Sequence, residues 1–236
     1  SLNTVITFLG AITAVILLVF RDTILGFVTG VHVSTSKNLK IGDWIGIPKY
    51  NIEGNIQDIN LLTTKIVNFD KTISTIPTYD LLSTEIRNHQ VMYEGSSRRI
   101  KRSIYFNIKS FKFVDDEFYE KVKDINLISE YMDRKLREIA ESKKNIPHAE
   151  RIINGQQLTN IGLFRNYVLN YLKNNPKVDQ DEIVLVRQLE ISPQGMPLEI
   201  YCFANKAELV DYERIQADIF DHILTAAQEF DLEIMQ

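Results

Sequence analysis

The chain has 236 residues, of which 44% are hydrophobic and 25% charged, and carries a formal net charge of −4. That balance fits a globular chain with room for more than one domain, and it argues against a nucleic-acid partner, which calls for a basic excess. Cys202 is the only cysteine, which excludes an intrachain disulfide and a cysteine-rich zinc cluster.

Residues 1–20, SLNTVITFLGAITAVILLVF, contain no charge. A helix of that length spans roughly 30 Å, the hydrocarbon thickness of a bilayer. A secretory signal fits poorly, because the stretch has no basic start and its apolar run is too long. Apolar groups occur on every face, which predicts a membrane helix rather than the core helix of a soluble domain. Thr7, Gly10, Ala11, Ala14 and Leu18 recur at spacings of three and four and share one face. Such a small-residue face admits another helix closely or lines a narrow pore.

An adjacent Arg21–Asp22 pair closes this stretch. Arg21 can reach headgroups or a water-filled mouth. Asp22 or Thr23 is the expected N-cap of a second, amphipathic helix over 22–36. Gly26 and Gly30 form a G-x-x-x-G pattern in it, a close-packing signal.

From Lys40 the pattern changes to short β-branched and aromatic runs. Turn signals stand at Gly42-Asp43, Glu53-Gly54 and Asp70-Lys71. Strands are expected near 43–47, 52–59, 62–69 and 72–76, which predicts a small barrel or strongly curved sheet. Arg98, Arg99, Lys101 and Arg102 then lead into a strand that carries Tyr105 and Phe106. This basic run reads as a solvated linker or an anchor at an anionic surface. Helical spacing covers 115–143, with a break near 124–129. A polar loop, a short helix ending before Pro176, two strands at 181–190 and 197–204, and a last helix near 208–229 follow. This succession predicts an α+β domain.

No phosphate loop, nucleophile elbow or HExxH helix is present, and the four histidines have no ligand spacing. The sequence therefore gives no catalytic residues, no cofactor site and no metal site. Cys202, in an apolar strand, reads as inert packing.

The order of these pieces is identifiable. KIGDWIGI, EGNIQDINLLTTKIVNFDKTISTIPTYDLL and IRNH, preceded by the two helices, resemble the small-conductance mechanosensitive channel (MscS) family. Gly42-Asp43, Gly54, Ile59, Thr63 or Thr64, Asp70, Ile76-Pro77 and Leu81-Leu82 match its pattern, and the resemblance covers roughly residues 9–108. RRIKRSI, TNIGLFRNYVLNYLKNNP, PLEIYCFANK and YERIQADIFDHI resemble the YbdG-type, or miniconductance, branch.

The resemblance implies a tension-opened ion channel that releases ions and small solutes on hypoosmotic shock. Its partners would be membrane lipids and identical subunits in a homoheptamer, in the bacterial inner membrane. Residues 1–36 would be a pore-lining helix (1–21), preceded by earlier membrane helices, and a helix at the membrane's cytoplasmic face (22–36). Residues 37–95 would be an all-β, Sm-like small barrel. Residues 96–236 would be a cytoplasmic α+β, ferredoxin-like domain with a helical insertion near 112–165. Carried over residue by residue, the family's two sealing leucine positions fall at Ala14 and Leu18, and only Leu18 keeps the bulky group. The usual kink glycine falls at Asp22. The expected pore face is thus Thr7, Gly10, Ala11, Ala14 and Leu18, and the expected pore mouth and joint are Arg21, Asp22, Gly26 and Gly30. The alternative is a non-conducting, membrane-tethered module that binds a macromolecule through the barrel and the basic 98–102 segment.

Overall fold

The computed structural model of the chain describes residues 1–36 and 38–235. Lys37, where the expected barrel domain begins, and Gln236 lie outside the described residues. The chain forms two compact units, Ser1–Glu94 and Gly95–Gln236.

In the first unit, α1 (Leu2–Val19) and α2 (Arg21–Ser36) are separated by Phe20 alone. Its backbone sits in the bridge region, with φ −97° and ψ 5°. Hydrogen bonding still continues on both sides. Phe20 N–H donates to Ile16 at 3.0 Å, and the Phe20 carbonyl accepts Ile24 N–H at 2.9 Å.

Next come β1 (Trp44–Ile47), β2 (Ile52–Ile59), β3 (Thr63–Asn68), β4 (Ile73–Pro77) and β5 (Arg87–Asn88), with α3 (Asp80–Ser83) and α4 (Gln90–Glu94) as short helices. The strands make one antiparallel sheet in the order β4-β3-β2-β1-β5. The first four lie within a residue of the expected positions. β5, only two residues long, has no periodicity to read. It is held by Asn88, whose side-chain amide donates to the Asp43 carboxylate at 3.0 Å and to the Asn38 carbonyl at 2.9 Å.

Alternate strand residues Ile45, Ile47, Ile56, Ile66 and Ile76 point inward, and Val33 of α2 and Leu81 join them in a small core. The Asp70-Lys71 turn forms as expected, with Asp70 accepting from both the N–H and the hydroxyl of Thr72. Glu53-Gly54 is a correction. Gly54 stands inside β2, opposite Ile45 and Asn68, and a Cβ there would collide with the Val67 carbonyl. The real β1–β2 connection is a 3-10 turn, Pro48–Tyr50, closed by Asn51 with φ 52°.

In the second unit, β6 (Arg98–Phe106) is followed by α5 (Asp116–Val122), α6 (Asn126–Lys143), α7 (Asn160–Lys173), β7 (Leu185–Gln188), β8 (Met196–Ala204) and α8 (Leu209–Ala226). The sheet order is β6-β8-β7, all antiparallel, and Ile234 bridges Phe106 beyond β6. Asp115 accepts from Phe118 N–H at 2.8 Å and so starts α5. Thr159 Oγ1 accepts from Gly162 N–H at 3.1 Å and starts α7. The expected strand over 181–190 shortens to 185–188. Asp179 N–H donates to Phe203 and Val178 bridges Ala204, so that end of β8 already has a partner. The Ser192–Gly195 connection is tight, the two residues exchanging backbone hydrogen bonds of 3.0 and 2.9 Å.

Ile100, Ile104 and Phe106 of β6 and Leu198, Ile200 and Cys202 of β8 share one face of the sheet and form a single core with the helices. Phe106, Phe164 and Phe230 meet edge-to-face at 5.4–5.6 Å. Asn160, fully buried, ties three segments together. Its side chain donates to the Ser110 and Phe230 carbonyls and accepts from the Lys112 and Ile161 N–H groups, all at 2.9–3.0 Å.

Candidate functional site

None of the 18 residues of α1 is buried by the rest of the chain. Its hydroxyls are satisfied from within: Thr7 and Thr13 donate to the carbonyls of Asn3 and Leu9, each at 2.9 Å. Such back-bonding lets threonine sit in a helix surrounded by apolar material. At about 100° per residue, Thr7, Gly10, Ala11, Ala14 and Leu18 occupy an arc of roughly 100°. The structure thus places the five expected pore residues on one stripe. Leu18, 74% exposed, is the only bulky apolar group on it.

The joint differs from the sequence expectation. The break falls at Phe20, and α2 already begins at Arg21. Asp22 stands in the first turn of α2 rather than at its cap, where its carboxylate still meets the positive end of the helix dipole. Arg21 and Asp22 are both exposed and form no ion pair among the described residues. Neighbouring residues on a helix diverge by about 100°, so adjacency in sequence does not bring them together.

α2 is also not amphipathic in the expected sense. Its inward face is made of Gly26, Thr29 and Val33, while Ile24, Phe27, Val28 and Val31 are 45–57% exposed. Thr29, fully buried, donates its hydroxyl to Leu25 at 2.8 Å. The G-x-x-x-G pattern divides. Gly26 lies against the Leu61 carbonyl of the β2–β3 turn, where any Cβ would collide, whereas nothing lies within 4 Å of a Cβ at Gly30. Gly26 therefore allows a helix to approach a β turn, not a second helix. Only tertiary structure reveals Leu61 as its partner, since the residues lie 35 positions apart in the chain.

The motifs that carry the family resemblance serve the sheet. Thr64 and Thr78, both fully buried, share a hydroxyl hydrogen bond of 3.1 Å, and Thr78 also donates to the Asn60 carbonyl at 2.7 Å. Pro77 ends β4, an edge strand that tolerates the missing N–H. Asp80 is buried beside Tyr50, whose hydroxyl donates to it, with Lys49 Nζ 3.5 Å away. These contacts hold the Asp80 carboxyl below the usual range, the Tyr50 hydrogen bond contributing most, against the opposing effect of burial.

The basic run 98–102 is part of a strand rather than a linker, and Arg99, Lys101 and Arg102 stay exposed. It lies in β6, where Arg98 covers the Tyr212 ring at 4.4 Å and Arg102 the Phe220 ring at 4.3 Å. Cys202 is fully buried in β8, and burial pushes its thiol up to about 12, which leaves it inert.

Comparison with known proteins agrees with this architecture. Residues 22–91 match the family model for the mechanosensitive ion channel β-domain, and residues 149–234 match that for the C-terminal region of the mechanosensitive ion channel MscS. The low conductance mechanosensitive channel YnaI of Escherichia coli K12 is 23% identical over 97% of this chain. The chain spans about half of that relative, 52% of its length. The small-conductance mechanosensitive channel MscMJ of Methanocaldococcus jannaschii is 34% identical over 30% of this chain and 20% of its own. The cryo-EM structure of Arabidopsis thaliana MSL1 superposes with a TM-score of 0.64 at 17% identity, over 100% of this chain and 66% of that one. The closed-state crystal structure of Helicobacter pylori MscS gives 0.60 at 16% identity, over 99% and 70%. At these identities the structural likeness is one of fold.

Proposed function

The chain belongs to the MscS family of mechanosensitive ion channels, and from that premise we propose that it forms the pore helix and cytoplasmic portion of a tension-gated channel subunit. The observation that carries this reading is α1, an apolar helix with no residue buried by its own chain and one stripe of small residues. So large an apolar surface needs cover from outside the chain, and lipid on one side with identical helices on the other supplies it. The family is one of channels rather than enzymes.

In this reading seven copies surround a pore in the bacterial inner membrane. Thr7, Gly10, Ala11 and Ala14 face the axis, and Leu18 forms the narrow apolar ring that closes by dewetting. Arg21 and Asp22 lie at the cytoplasmic mouth, and α2 runs along the membrane face with its exposed Ile24, Phe27, Val28 and Val31 toward lipid. Residues 37–95 act as an Sm-like barrel. Residues 96–236 act as a ferredoxin-like domain, a reading supported by the β6-β8-β7 order with Ile234 beyond β6. The helices of 112–165 are the addition expected of the miniconductance branch. Tension favours the state of larger in-plane area, and ions and small solutes leave during hypoosmotic shock.

The test is patch recording of the full-length protein reconstituted in liposomes. Leu18→Ser wets the constriction, so its threshold falls or a standing leak appears. Unchanged threshold and conductance would remove Leu18 from the gate. A protein that never conducts under tension but binds a macromolecule in a salt-dependent way would favour the tethered binding module instead.

A further inference from the structure

The second unit carries a cleft of about 450 Å³ that none of the foregoing uses. Its walls come from α6, α7, the segment before α7 and β7, with Leu158 and Ile139 as apolar floor. That volume suits a molecule the size of an amino acid or a sugar phosphate.

The lining is one-sided in charge. Arg165 and Lys135 are its ionic groups, and none of its ten residues is an Asp or Glu, although the whole chain is net acidic. Lys135 is partly engaged, with its ammonium 2.6 Å from Glu138 Oε2. Arg165, a half-buried residue, is not: among the described residues its guanidinium has no hydrogen bond or ion pair. Several other cations of the same unit are matched. Glu199 holds Arg187 at 2.7 Å, and Asp231 holds Lys112 and Lys121 at 2.7 and 2.6 Å.

The neutral groups add donors. Gln157 Oε1 already accepts from Leu158 N–H at 3.1 Å, which leaves its amide NH2 free to donate. Gln156 and Gln188 bring two further amides. The α7 N-terminus is not the anchor, because Thr159 already occupies Gly162 N–H. A guanidinium short of partners, in a lining that holds three amides and no carboxylate, is suited to one class of guest. We infer that this cleft binds a small organic oxyanion whose carboxylate or phosphate pairs with Arg165. A bidentate guanidinium–oxyanion pair supplies the affinity, and the amides fix the orientation. The apolar floor takes the carbon skeleton.

The test uses the full-length protein in lipid nanodiscs, titrated calorimetrically with potassium glutamate and with inorganic phosphate, against potassium chloride at equal ionic strength. At least one oxyanion saturates with a Kd on the order of 1 mM or tighter, and chloride does not. Glutamate alone identifies a carboxylate guest, and phosphate alone a phosphate ester. Arg165→Gln weakens the binding at least tenfold, while Arg165→Lys restores part of it. Hydrogen exchange of the wild-type protein slows over 156–165 when the oxyanion is bound, a readout that does not depend on a variant folding. Absence of saturation by both oxyanions, binding without protection at 156–165, or undiminished affinity in a folded Arg165→Gln protein would each overturn the site.

Discussion

Two helices of equal length, α1 and α8, solve the same problem in opposite ways. Each has 18 residues. α8 places Tyr212, Ile215, Ile219, Phe220 and Ile223 on one face and buries them against its own sheet, while Glu213, Asp218 and Asp221 stay exposed. α1 is apolar all round and buries nothing within the chain. The pattern, not the length, decides where cover comes from. A stripe is matched by one surface, and an all-round apolar helix needs a surrounding medium or other copies.

The strongest way to break this contrast is to truncate one isoleucine in each helix, buried in α8 and exposed in α1. Ile219→Ala leaves a cavity under the sheet and costs about 3–4 kcal/mol, read as faster hydrogen exchange of β8 amides in the reconstituted protein. Ile16→Ala changes the same exchange by less than about 0.5 kcal/mol, because no contact links that side chain to a core in the chain. Equal effects of the two variants would erase the distinction.

Next in size is Asn160→Ala. It strips the Ser110 and Phe230 carbonyls and the Lys112 N–H of their partner and costs about 2–3 kcal/mol in the same measurement. Gly26→Ala tests the junction between the two regimes. The added methyl has to displace the Leu61 carbonyl, at a cost of about 1–3 kcal/mol, so exchange quickens in the 60–63 turn while α8 is unaffected.

The smallest effect belongs to the Tyr50–Asp80 contact. Tyr50→Phe costs about 1 kcal/mol at neutral pH. Because the folded Asp80 carboxyl lies below its ordinary value, its contribution is complete above the unfolded value of about 3.9. It fades as the pH falls below that through the lower folded value. Thermal melts of the wild type between pH 6 and pH 2 therefore show a loss below about pH 4 that is smaller in Tyr50→Phe.

Most of the sheet was legible because its strands alternate cleanly and its turns carry Asp, Gly and Asn at the points where the chain reverses. Gly54 misled for a physical reason. A glycine beside an acidic residue has the composition of a turn, yet here it allows two strand backbones to meet. β5 was invisible, since two residues carry no period, and it exists because Asn88 reaches Asp43 and Asn38. The basic run 98–102 reads as a linker in sequence, yet it is a strand. Arg98 and Arg102 lie over aromatic rings more than a hundred residues away, while Arg99, Lys101 and Arg102 keep their exposure to solvent.

The candidate site divides along the same line. The stripe from Thr7 to Leu18 follows from helical periodicity alone, since local hydrogen bonds fix which residues share a face. So do the absence of charge over residues 1–20 and the need for outside cover. Tertiary structure decided the rest: that the break falls at Phe20, that Gly26 meets the Leu61 carbonyl, and that Arg165 lines a cleft without a carboxylate. The last two depend on packing between segments distant in sequence, and a one-dimensional pattern does not encode which surfaces will be brought within a few ångströms.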